Sequence, residues 1–183
     1  YGPNRLPPLE HVFVSGGYRE GTNNRTINRP EAEAIVARIA SLCDDSRYDD
    51  MSIGVVVLQG EAQAALIENQ LLERLGAEEM ERRRLVCGNP YSFQGDERDI
   101  MFLSLVAANN ERIGPLTKAA DERRFNVAAS RARDRMILFH SVTCDAVSYT
   151  HLRAHETVLD LVCRLLLEKK KQSTPTSQYI TIL

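Results

Sequence analysis

The chain has 183 residues, 43% of them hydrophobic and 26% charged, with a formal net charge of -2. That length supports one full hydrophobic core and excludes two comfortable ones. No run approaches the roughly 18 apolar residues of a membrane span, the opening YGPNRLPPLE is no signal peptide, and the near-neutral charge excludes a global basic field, so any nucleic-acid contact must come from local patches.

HVFVS (11–15) reads as a short strand. PEAEAIVARIASL (30–42) follows as a helix, with Ile35, Val36 and Ile39 at helical spacing and Pro30 suited to its first position. Glu31 and Glu33 in the opening turn suit the helix dipole. IGVVVL (53–58) is a continuous apolar strand, and EAQAALIENQLLERLG is a helix with Leu66, Ile67, Leu71 and Leu72 expected inward and Gly76 as its stop signal. LVCG (85–88), DIMFLSLV (99–106) and RMILFH (135–140) are further strands, and DERRFNVAASRAR between the last two reads as an arginine-rich helix. Strands apolar throughout are buried on both faces, the signature of a parallel sheet with helices on each side. The order predicts an α/β domain ending near residue 145, with ligands outside the carboxyl ends of strands and in adjacent loops. No internal repeat is visible. Cys43, Cys87, Cys144 and Cys163 lie far apart, without a CxxC pair or metal-ligand spacing. They read as reduced thiols, Cys87 buried, in a cytoplasmic protein with no metal of its own.

Two segments carry unusual chemistry. In PYSFQGDERDIMFLSLV, Gly95 lets backbone approach a ligand closely, Gln94 offers a donor and an acceptor, and Glu97 can accept from a ribose hydroxyl or orient an arginine. In RRFNVAASRAR, Arg124 and Arg131 stand seven apart, on one face of the expected helix, while Val127 and Ala128 can pack on the sheet. A guanidinium held rigidly can clamp phosphate oxygens in a fork. The bland alternative is a solvated helix face in which Arg123, Arg124, Arg131 and Arg133 pair with Asp121, Glu122 and Asp134.

SFQGDERDIMFLSLV resembles motif V, running into Va, of superfamily 1 helicases, and RRFNVAASRAR resembles their motif VI. GVVVLQGEAQAALIENQLLERL resembles the motif IV region, with Gln63 at its glutamine position, and NRPEAEAIVARI the Asn-x-x-Glu-Ala segment that opens the same domain. The resemblance covers residues 11 to about 145 and is closest to the branch of RNA-surveillance helicases and large bacterial helicase–nucleases. It implies a RecA-like α/β domain over residues 1–146, the second of a pair in a P-loop NTPase. It further implies that Arg131 is the arginine finger, with Gln63, Gly95, Glu97 and Arg124 also at the ATP site. Ser92, Gln94 and Ser104 would lie near the backbone of single-stranded DNA or RNA, held through phosphates and therefore salt-dependently.

The chain departs from the full helicase pattern. It contains no GxxxxGK[ST] phosphate loop and no acidic Mg²⁺ motif after it. Both the cradle for ATP and the ligands for Mg²⁺ are therefore expected on a first RecA-like domain, the intramolecular partner, and this piece alone is expected to be inactive. Arg19, in GGYREGTNNR, lies near where relatives carry a nucleotide-contacting arginine, in a different surrounding pattern. The competing reading is a non-catalytic single-strand-binding or scaffold module of the same fold.

After Asp145 the character of the sequence changes. His151 and His155 stand four apart beside Glu156, and LDLVCRLLLEKKK could form an amphipathic helix. VSYTHLRAHET and LVCRLLLEKKK, however, resemble a translated sequencing adapter and its following primer over residues 147–171. Residues 147–183 are accordingly expected to be non-native, helical or disordered, and without function.

Overall fold

The computed structural model describes residues 8–93, 95–110, 126–128 and 130–143. Gln94, Arg124, Cys144, Cys163 and the tail with His151 and His155 lie outside these described residues.

In chain order the elements are β1 (Leu9–Phe13), β2 (Arg19–Glu20), β3 (Ile27–Asn28), α1 (Arg29–Cys43), β4 (Ile53–Val57), α2 (Glu61–Arg82), β5 (Val86–Gly88), β6 (Arg98–Ala108) and β7 (Ala132–Ser141). Five of the strands form one wholly parallel sheet in the order β1-β7-β6-β4-β5, and β2 pairs with β3 in a small antiparallel ribbon. The period-2 alternation of the strands explains their unbroken apolar runs. Ile53, Val55, Val57, Ile100, Phe102, Ile137 and Phe139 face the layer containing α1 and α2. Their neighbours Val56, Met101, Leu103 and Leu138 fill the opposite face with Phe93 and Ala128, the latter in a helical turn at residues 126–128.

The side chain of Asn28 caps α1 by accepting from the Glu31 N–H, and Pro30 opens the helix. In α2 the backbone leaves helical geometry at Gly76 (φ 80°, ψ 163°), at the expected stop, and a short further helical piece runs on to Arg82. Ile67 and Leu71 are fully buried and Leu66 partly so, but Leu72 is 48% exposed instead of inward. Successive helical residues diverge by about 100°, so with Ala64, Ile67 and Leu71 on the sheet Leu72 must turn outward.

The arginine-rich segment also departs from expectation. Arg131 lies in a turn, not on the helix, because Ser130 N–H reaches Asn126 O (3.0 Å) and Arg131 N–H reaches Ala128 O (3.2 Å), after which β7 begins at Ala132. No helix among the described residues is long and apolar enough to cross a membrane, and no group of three metal-ligating side chains occurs among them.

Candidate functional site

The described site residues expected from sequence fall in three places, two at opposite ends of the sheet and one inside the domain. At the carboxyl ends of β4 and β5 opens a cleft of about 540 Å³, lined by Asn23, Asn24, Gln59, Asn89, Tyr91 and Ser92 among others. Its floor turns at Gly60, where φ is +82° and a Cβ would sit 2.4 Å from Thr26 O, so only glycine fits. No side chain caps α2 here. Cys87 also borders the cleft, half-buried, and burial, reinforced by Glu68, pushes its thiol well above the usual range. It is an inert thiol at neutral pH.

Behind the cleft lies a buried polar network. Gln63 is fully buried, its Oε1 accepting from Asn28 N–H (2.8 Å) while its Nε2 donates to Asn28 O (3.1 Å) and Ser104 Oγ (3.4 Å). Ser104 is equally buried and donates to Glu31 Oε1 at 2.6 Å. Glu31 also accepts from Val106 N–H (2.9 Å) and Asn28 Nδ2 (3.3 Å), and Asn28 Nδ2 reaches Ser141 Oγ (3.1 Å). Burial raises the Glu31 carboxyl to about 7, against the hydrogen bonds from Ser104 and from the Val106 and Leu105 backbone that pull it down. Val106 has φ 61°, a strained value for a β-branched residue, and sits where the β6–β7 register is interrupted. The Glu31 carboxylate supplies an acceptor that an unbroken strand would have provided to Val106 N–H.

The two ends are joined by residues 89–97, which leave β5 at the cleft and enter the amino end of β6. Asn89 Oδ1 accepts from Tyr91 N–H (2.9 Å) and Ser92 N–H (3.1 Å), fixing the first turn. Phe93, 1% exposed, then plugs into the second core layer beneath β4. Gly54 makes room for it: a Cβ there would lie 2.9 Å from the Phe93 ring and 2.6 Å from Met101 Sδ. Gly95 follows with φ +82° in open space, a left-handed turn without steric crowding. Asp96 bridges Arg98 (2.8 Å), and Glu97 pairs with Arg133 (2.9 Å), an exposed contact that raises the Arg133 guanidinium further.

Beside this loop, Arg98 N–H donates to Arg131 O at 3.0 Å, which sets the start of β6 against the turn that precedes β7. Arg131 is partly buried, and its Nε has no hydrogen-bond partner among the described residues. Gly95, Glu97 and Arg131 thus gather at the amino edge, Ser92 lies at the cleft, and Gln63 and Ser104 meet inside the domain. Arg133 pairs with Glu97, which lies before β6. Sequence reading placed Glu31 in the helix dipole and missed its burial, and it passed over Tyr91 altogether. The Asn-x-x-Glu spacing was the available signal for the first, since both residues serve one cap.

A parallel α/β sheet in this order, with an arginine and a glycine-acid loop at one edge and a polar cleft at the other, defines a RecA-like domain of the P-loop NTPase type. An AAA domain family model matches residues 7–143, and the chain belongs to that family as a helicase-type domain. An uncharacterised ATP-dependent helicase of Mycoplasma pneumoniae, the MG140 homolog, is 33% identical over 90% of this chain and 15% of its own length. The regulator of nonsense transcripts 1 homologs of Neurospora crassa and Arabidopsis thaliana are 31% and 28% identical, over 70% and 86% of this chain and 12% and 13% of theirs. The chain therefore spans less than a sixth of the curated relatives it matches.

Proposed function

We propose that the chain is the second RecA-like domain of a superfamily 1 helicase or translocase, which couples ATP hydrolysis to movement along single-stranded DNA or RNA. The observation that carries this reading is the 89–97 connection. It runs from the cleft, past a buried Phe93 anchor, to the edge where Gly95, Glu97 and Arg131 gather. A displacement at either end is thereby transmitted along one short, tethered segment.

The residues present fit part of a nucleotide site. Arg131 brings a guanidinium whose Nε has no partner among the described residues, Gly95 brings accessible backbone, and Glu97 a carboxylate already oriented by Arg133. There is no lysine-bearing phosphate loop in the chain, so the cradle and the Mg²⁺ ligands belong to a first RecA-like domain. ATP, when bound between two such domains, supplies a γ-phosphoryl group whose transfer spreads negative charge over its oxygens. Arg131 stabilises that charge on domain closure, an effect worth on the order of 10³ or more in rate. Arg124 is a second phosphate contact in this scheme. Gln63 and Ser104 act from inside, by holding the α1 and α2 openings and the end of β6 in place. Ser92 and Gln94 border the path of the strand.

The test is Arg131→Ala in the full-length protein. ATP turnover should fall by about 10³ while single-strand affinity stays within roughly a factor of three. Unchanged turnover would remove Arg131 from the reaction.

A further inference from the structure

The cleft has a composition unlike a phosphate track. Its charged walls are Arg19, Glu61 and Glu68, and its other polar side chains are mainly amides, those of Asn23, Asn24, Gln59 and Asn89. Amides offer donors and acceptors together, the complement of base edges and sugar hydroxyls, whereas a phosphate grip calls for a surplus of cations. One aromatic ring stands at this wall. Tyr91 is 58% exposed, and single exposed aromatics are ordinary on protein surfaces. This one is different in being held. Pro90 precedes it, Asn89 Oδ1 binds its N–H and that of Ser92, and two residues on Phe93 is locked in the core. An aromatic face on a rigid turn loses little entropy when a flat partner stacks on it.

We infer that Tyr91 is a stacking platform for a nucleobase and that the adjoining cleft holds single-stranded nucleic acid by bases and sugars instead of phosphates. The inference rests on the nucleic-acid reading above and narrows it to one mode of contact. It also replaces the phosphate grip expected from sequence at this part of the path. Binding energy drawn from stacking is non-ionic, so its share is independent of salt, and it disappears when the base is missing.

The chain contains no tryptophan, so Tyr91→Trp installs a single fluorophore at the platform. Titration of the full 183-residue chain carrying this substitution with oligothymidine should quench the indole. An abasic strand of equal length should not quench it, and a mononucleotide should do so only at much higher concentration. In anisotropy measurements Tyr91→Ala should weaken oligonucleotide binding about 5- to 150-fold and Tyr91→Phe by less than roughly twofold. The Ala-to-wild-type ratio should hold from low to high salt. If wild type and Tyr91→Ala bind equally, and abasic and normal strands compete equally, the platform is refuted while the nucleic-acid reading stands. If the wild-type chain binds no strand at all, both fall. Equal midpoints for mononucleotide and strand would reassign the cleft to a free nucleotide and refute the strand contact.

Discussion

Glu31 shows how one buried residue ties the domain together and how its chemistry can be read out. Its carboxyl, ordinarily near 4.5, is raised to about 7, so its contribution to stability is complete below the lower value and lost as pH rises through the upper one. His140 works in the opposite direction. Burial pushes its imidazole from 6.5 down to about 4, although its Nδ1 lies 3.1 Å from Val142 O. Its contribution is complete above the higher value and lost as pH falls towards the lower. Each effect is on the order of 3 kcal/mol over its full range, and between about pH 4.5 and 6.5 the two oppose each other. Glu31→Gln should therefore expose the His140 slope, with stability falling on acidification, and His140→Phe the reverse slope. Urea unfolding at several pH values checks this, and identical flat profiles for both variants would show that burial does not control either group. The sequence could signal the Asn28–Glu31 cap but not the rest of the network, because the Glu31 acceptors are used by Ser104 and Val106, 73 and 75 residues downstream. A carboxylate in the first turn of a helix has an adequate local explanation in the dipole. Only the fold brings a strand end over it.

At the level of elements, the strands of the parallel sheet were legible, while the β2–β3 ribbon and the connections were not. Runs such as IGVVVL and DIMFLSLV admit few alternatives once both faces must be apolar, and β4 and β6 appear within a residue or two of their expected bounds. GNPYSFQGDE, by contrast, reads as a polar loop, and its central Phe93 is revealed as a core residue only by the gap left at Gly54. The Arg131 turn was misread as helix because composition favours helix up to the point where β7 takes over the chain. The Phe93 anchor leads to a coupling prediction. Gly54→Ala forces a methyl against the Phe93 ring and Met101 Sδ, and overpacking of this kind costs about 1–3 kcal/mol. Met101 Sδ is the flexible part of its side chain, so the aromatic ring is the obstacle that matters. Phe93→Leu alone should also destabilise, by removing buried ring atoms. The double variant should nonetheless be more stable than the sum of the two losses, because the smaller side chain admits the methyl. Strict additivity in denaturant unfolding would show that Phe93 and Gly54 do not share this space.

For the whole molecule, the question is which part of the chain belongs to the folded unit. The last strand of the sheet ends at Ser141, and the family match ends at residue 143. On that boundary, the hydrophobic driving force of the domain would be in place before the tail begins. Deleting residues 147–183 should accordingly shift the midpoint of thermal unfolding by less than about 2 °C, below the roughly 2–4 °C that 1 kcal/mol produces in a domain near 150 residues or larger. The opposing expectation comes from the Mycoplasma pneumoniae relative, whose match covers 90% of the chain and so must run past residue 146. If that stretch is coded protein packed on the sheet, as a helix ending in LEKKK could be, the same deletion should lower the midpoint by several degrees and broaden the transition. Circular dichroism melts of the two chain lengths decide between them. An unchanged melt leaves residues 147–171 with the adapter resemblance as their best account. A lowered one means that the domain continues past β7, and that His151 and His155 must be considered as parts of a folded surface.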